Sequence, residues 1–161
     1  MIICYLWRMM ENKEEKYRLL SAQVKALVEG ETDWVSVTAN VCAAIQEAMG
    51  FFWTGFYVVR GNELRLGPFQ GPVACMHIGY GRGVCGTAWQ RGATVVVPDV
   101  EQFPGHIACS SLSRSEIVVP VFAADGTVAA VLDIDSRELA TFDEVDKEWL
   151  ERIVGELRIS F

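Results

Sequence analysis

The sequence predicts an α+β domain, with a central antiparallel β-sheet flanked by helices. Two helix-period stretches open the chain, β-branched and aromatic runs parted by turn residues fill its middle, and another helix-period stretch closes it. Residues 12–29 put Tyr17, Leu20, Val24, Leu27 and Val28 on one helical face. A second helix spans 33–49. Thr32 or Asp33 caps it, Trp34, Val37, Val41, Ile45 and Ala48 form its apolar stripe, and Gly50 stops it. At residue 51 the period changes: FFWTGFYVVR (51–60) reads as a strand, and the Gly61-Asn62 turn leads into ELRLGPF as its hairpin partner. VACMHI (73–78) reads as a third strand. Residues 79–92 form a glycine-rich loop running into a short helix, and 94–100 a short strand whose Pro98 marks an edge or an end. Residues 101–114 have no regular pattern. SEIVVPVFA and TVAAVLDIDS pair across Ala124-Asp125-Gly126, and Phe142, Val145, Trp149, Ile153 and Leu157 mark a final amphipathic helix.

At 161 residues the chain makes one domain with a core of its own. Its net charge of −7 repels phosphate backbones and argues against nucleic-acid binding. No apolar run reaches the roughly 18 residues of a membrane span. The opening MIICYLW is short for a secretory segment and has no basic stretch before it, so a cytoplasmic protein is expected. Residues 1–9 read as an extension ahead of a single domain at 10–161, with Met10 an equally natural start.

Five cysteines in a reducing compartment point to catalysis or metal more than to structural disulfides. Cys42, in an alanine-rich helix, reads as a small core hydrophobe, and Cys4 belongs to the extension. Cys75 ends a strand. Cys85 sits at the glycine-rich entry to the short helix, where free N–H groups lower a thiol's pKa, with Arg82 three residues before it. Cys109 lies in the long loop, with His106 three residues before it as a cation or proton partner. Redox chemistry requires thiols that can meet. Three unrelated cysteines are one alternative, and a zinc ion held by Cys75, His77, His106 and Cys109 is another. No Cys-x-x-Cys supports the second, and no metal is expected.

Asp133 and Asp135, two apart in a strand, point to one face while Leu132 and Ile134 point to the other. Glu116 begins the partner strand and can join them. Such a cluster suits an amine, a metal or a basic side chain, unless it is a strand end open to water. Strand 51–59 places Trp53, Gly55 and Tyr57 on one face, with Phe52, Thr54 and Phe56 on the other. The glycine leaves an open floor between rings suited to a thioether or a sulfoxide, or else the rings are ordinary core.

The segments FFWTGFY (51–57), LGPFQGPVAC (66–75), GRGVCGTA (81–88), GHIAC (105–109), SEIVVP (115–120) and GTVAAVLDIDS (126–136) together resemble the free methionine-(R)-sulfoxide reductases, enzymes built on a single GAF domain. The resemblance implies a GAF-like fold and free methionine-R-sulfoxide as substrate. It implies that Cys109 attacks the sulfoxide sulfur, a carboxyl supplies the proton, and a sulfenic acid forms and condenses with a second cysteine. Cys75 is then the first resolving partner and Cys85 a second. Helix entry favours Cys85 as the more acidic thiol, but a nucleophile must reach into a pocket and then swing toward its partner, so the loop position makes Cys109 the expected nucleophile. Trp53 and Tyr57 would hold the sulfur and methyl end. Glu116, Asp133 and Asp135 would bind the amino group and polarise the sulfoxide oxygen. Thioredoxin would return the electrons with no bound cofactor, in a homodimer serving oxidative-stress repair. The alternative is a GAF sensor that binds a small ligand and uses its cysteines as redox switches.

Overall fold

The computed structural model describes residues 12–107 and 109–157, so the expected extension, Met10 and Cys4 lie outside the described residues. Helices α1 (Lys13–Val28) and α2 (Trp34–Met49) form where the helical period predicts them. The Asp33 carboxylate accepts the Ser36 N–H at 2.8 Å, which settles the cap in its favour over Thr32. Gly50 ends α2 in the left-handed region, at φ 71°. Leu27 departs from its expected face. Val28 packs on the core in the last turn of α1, and Leu27 turns to solvent.

Six strands follow: β1 (Trp53–Arg60), β2 (Glu63–Gln70), β3 (His77–Gly79), β4 (Val95–Val97), β5 (Ser115–Phe122) and β6 (Val128–Ser136). They form one antiparallel sheet in the order β3-β2-β1-β6-β5-β4. Helix α3 (Gly83–Arg91) comes between β3 and β4, and α4 (Glu144–Gly155) follows β6. Two predicted strands are shorter than expected. The stretch 73–78 contributes only His77 and Ile78, because side chains claim the backbone before them: the Trp53 indole N–H donates to Pro72 O at 3.0 Å and the Tyr57 hydroxyl to Cys75 O at 2.9 Å. Cys75 therefore precedes β3. The 94–100 strand ends at Val97, ahead of Pro98, and a 3₁₀ turn (Val100–Gln102) capped by Asp99 takes over.

Helices α1, α2 and α4 share one core with Phe56, Val58, Ile117, Leu132 and Ile134 from one face of the sheet. Helix α3 packs on the opposite face with Trp53, Tyr57, Val118 and Val131. Among the described residues, no helix is long and apolar enough to cross a membrane.

One polar contact holds the helical layer in place. The wholly buried Asp146 accepts the Tyr17 hydroxyl at 2.7 Å and pairs with Lys13 Nζ at 2.6 Å, and it also accepts the Asp143 N–H in the capping box of α4. Tyr17→Phe keeps the ring and leaves Asp146 Oδ1 without its donor. The expected loss is about 1–3 kcal/mol in urea unfolding, and an unchanged midpoint contradicts it.

Candidate active site

The three central strands assemble the site through their register. Trp53 pairs with Asp135 and Gly55 with Asp133 across β1 and β6, and Glu116 pairs with Asp135 across β5 and β6. Strand alternation then turns Trp53, Tyr57, Asp133, Asp135 and Glu116 to the face beneath α3. With Cys109 from the loop before β5, they line a cavity of about 40 Å³. That is room for a few water molecules.

The floor between the rings is closed. A Cβ on Gly55 would lie 2.2 Å from Trp53 Cη2, so the absent side chain is the space that the indole occupies. The Trp53 ring stacks on Phe69 with centroids 5.3 Å apart and lies 6.0 Å from Tyr57. Phe52, expected on the other face, also lines the cavity, with the Arg137 guanidinium 4.4 Å from its ring centroid. It precedes β1, so strand alternation does not govern it.

The acidic cluster is buried, and the reading of a strand end open to water does not hold. Glu116 and Asp133 are 6% and 7% exposed, and Asp133 Oδ1 has no hydrogen-bond partner among the described residues. Burial, followed by the charge of the neighbouring carboxylates, pushes both groups well above the usual carboxylate range. Burial also raises Asp135, to about 6, against a hydrogen bond donated by the Ser113 hydroxyl. A buried carboxylate oxygen of this kind calls for a donor that the described residues do not supply. Cys85, Glu116 and Asp133 also offer donor atoms within 4.8 Å of one another, a set with the chemistry to take a cation.

The cysteines sort differently from the helix-entry expectation. Cys85 is the third residue of α3, and its Sγ lies 4.0 Å from Glu116 Oε1. Burial first, and then the charges of Asp133 and Glu116, push its thiol upward, which outweighs the helix terminus. Cys85 is not the acidic thiol. Cys75 and Cys109 are bonded to each other, with Cα atoms 5.4 Å apart. Their sulfurs are thus unavailable as thiolates for the alternative zinc set. His77, the third residue of that set, instead lies on β3 with its Nδ1 3.2 Å from Glu63 Oε2. His106 Nε2 stands 4.0 Å from Glu116 Oε2, and burial lowers its pKa, so it is a neutral imidazole rather than a cation beside Cys109. Cys42 is buried as expected, and burial pushes its thiol up to about 12.

Ser113 and Arg82, neither expected from the sequence as site residues, also line the cavity. Ser113 carries no sequence signal, since its role depends on a hydroxyl reaching Asp135 from a loop 22 residues away in sequence.

Residues 31–160 match the GAF domain family. The GAF domain-containing protein A of Dictyostelium discoideum is 55% identical over 89% of this chain and 90% of its own. The free methionine-R-sulfoxide reductase of Saccharomyces cerevisiae is 45% identical over 88% of this chain and 83% of its own. The free methionine-R-sulfoxide reductase of Neisseria meningitidis, solved in complex with its substrate, superposes with a TM-score of 0.89 at 53% identity, covering 91% of this chain and 89% of that one. The chain belongs to the free methionine-R-sulfoxide reductase family. Within the GAF fold of that family, the carboxylates, the aromatic wall and the Cys75–Cys109 bond converge on the sheet face covered by α3.

Proposed function

We propose that the protein reduces free methionine-R-sulfoxide to methionine, with Cys109 as the nucleophile. The observation that carries this reading is one cavity lined by Cys109, by the rings of Phe52, Trp53 and Tyr57, and by three buried or half-buried carboxyls. The Cys109 thiolate attacks the sulfoxide sulfur while Glu116 or Asp133, held protonated by burial, gives a proton to the oxygen. Methionine leaves and the oxygen remains on Cys109 as a sulfenic acid. The Cys75 thiol displaces it as water, which forms the disulfide. Thioredoxin is the proposed external dithiol.

Asp135, the most acidic of the three carboxyls, is ionised at neutral pH and receives the substrate ammonium. A methionine sulfoxide within a peptide has an amide there, so the cluster selects the free amino acid. Trp53 and Tyr57 pack on the thioether end. Cys85 stays a neutral thiol against Glu116 and takes no electrons.

Incubating the reduced protein and dithiothreitol with free R-sulfoxide, free S-sulfoxide and N-acetyl-methionine-R-sulfoxide tests this reading. Methionine is expected from the free R form alone. No product from any of the three leaves the cavity to a sensor's ligand. Gly55→Ala tests the aromatic wall. The new methyl displaces the Trp53 ring, and a misplacement near 1 Å is expected to cut kcat/KM about 10²-fold while the chain stays folded. A variant with unaltered kinetics removes Trp53 from the site.

A further inference from the structure

We propose that an uncharged, apolar rim around the Cys75–Cys109 bond is the docking surface for a protein dithiol, which attacks Cys75. The inference rests on reading that disulfide as the product of turnover. Val73 and Met76, 87% and 69% exposed, are the most exposed large apolar side chains among the described residues, and they flank Cys75 on either side. Leu112, 52% exposed, follows Cys109 by three residues. The 5.4 Å Cα separation across the disulfide joins the two stretches into one surface. Neither 71–76 nor 107–113 contains an acidic or basic residue, in a chain that is 22% charged.

The rim is held in shape from beneath. Pro72 O accepts from the Trp53 indole, Cys75 O from the Tyr57 hydroxyl and Met76 O from the Leu66 N–H. With three carbonyls in the stretch 72–76 tied to β1 and β2, the Val73 and Met76 side chains are left in solvent. Single exposed apolar residues are ordinary on a protein surface. Two of them bracketing a disulfide on a pinned segment form a contact face beside a reactive bond. Disulfide exchange requires the attacking sulfur to reach one sulfur of the pair, so the surface of the incoming protein must rest on this rim.

The cavity decides which sulfur is attacked. Cys109 lines it and Cys75 does not. The partner's thiolate bonds to Cys75 Sγ, the Cys75–Cys109 bond breaks, and Cys109 leaves with the electron pair as a thiolate on the cavity side. The partner's second thiolate then attacks its own sulfur in the mixed disulfide and releases Cys75 as a thiolate, which takes a proton from water. Two electrons have moved, and the partner departs as a disulfide. This order returns Cys109 to the pocket in the form that attacks the next sulfoxide.

The test starts from the oxidised protein and reads the appearance of free thiols, so it needs no sulfoxide turnover. Thioredoxin with its second active-site cysteine replaced by serine is expected to be trapped on Cys75, as mapped by peptide mass spectrometry. Met76→Ser combined with Leu112→Ser, at positions outside the cavity, is expected to slow reduction by intact thioredoxin about tenfold and to leave reduction by dithiothreitol unchanged. Trapping on Cys109 overturns the proposal. So does equal slowing with both reductants, no slowing with either, or glutathione reducing the protein as fast as thioredoxin. If the rim behaves as expected and no sulfoxide is turned over, the proposed activity fails alone.

Discussion

Cys109→Ser is expected to abolish methionine formation with thioredoxin and with dithiothreitol alike, a loss of about 10³-fold or more. Cys75→Ser is expected to keep most of the dithiothreitol-supported rate and to lose the thioredoxin-supported rate by about 10²-fold. Serine at 109 cannot carry the oxygen away from sulfur, and among the described residues no second reactive thiol lines the cavity, because Cys85 is buried with its thiol pushed up by burial and two carboxyls. At position 75 the chemistry differs. A small thiol can enter and reduce a Cys109 sulfenic acid directly, whereas a protein dithiol needs the half-buried disulfide to attack. Cys85→Ser is expected to stay within about threefold of the parent in both assays, because Cys85 is free while Cys75 and Cys109 are joined. Methionine quantified by chromatography, with both reductants and all three variants, decides the matter. Turnover retained by Cys109→Ser and lost by Cys85→Ser would exchange their roles.

The parts of the site legible in the sequence are those set by backbone periodicity. Asp133 and Asp135 stand two apart in a strand, Glu116 opens the neighbouring strand, and Trp53 and Tyr57 share a parity, so alternation alone predicts a common face. The helices were equally accessible, since their apolar spacing and the Asp33 and Gly50 caps are local signals. What stayed hidden depends on side chains from elsewhere in the chain. The Trp53 and Tyr57 polar atoms take the carbonyls of Pro72 and Cys75 and so stop a strand that β-propensity favours. Trp53 folds over Gly55, a choice made by Phe69 on the next strand. Cys85 is at a helix entry, where a lowered pKa is the local rule, yet burial, followed by two acids from β5 and β6, reverses the sign. Local rules predict an average environment, and a buried site departs from it by assembling charges from distant strands.

Asp133→Asn is expected to make the protein more stable and far less active. Asp133 is buried beside Glu116 and Asp135, with one oxygen lacking a partner among the described residues, so its charged form is penalised in the folded state. The folded pKa values of all three carboxyls lie above the roughly 4 of an unfolded chain. Above that value the folded protein holds more protons than the unfolded one. Stability is therefore fullest below pH 4 and falls as the pH rises toward the folded pKa values, with Asp135 contributing its share up to about 6. An asparagine removes one such group and brings a donor to its acidic neighbours. The gain is expected to be small near pH 4 and to grow to about 1–2 kcal/mol at neutral pH. Loss of the Asp133 charge, which raises Glu116, also lets Glu116 ionise at lower pH. The alkaline limb of the pH–rate profile then shifts to lower pH, and kcat at neutral pH falls about 10²–10⁴-fold as proton donation is lost. Urea unfolding at pH 4.5 and 7.5, paired with the pH–rate profile, reads both effects. A variant that is less stable at pH 7.5, or one whose alkaline limb does not move, would mean that Asp133 is held by an unseen partner and does not strain the fold in order to keep a proton ready for the sulfoxide oxygen.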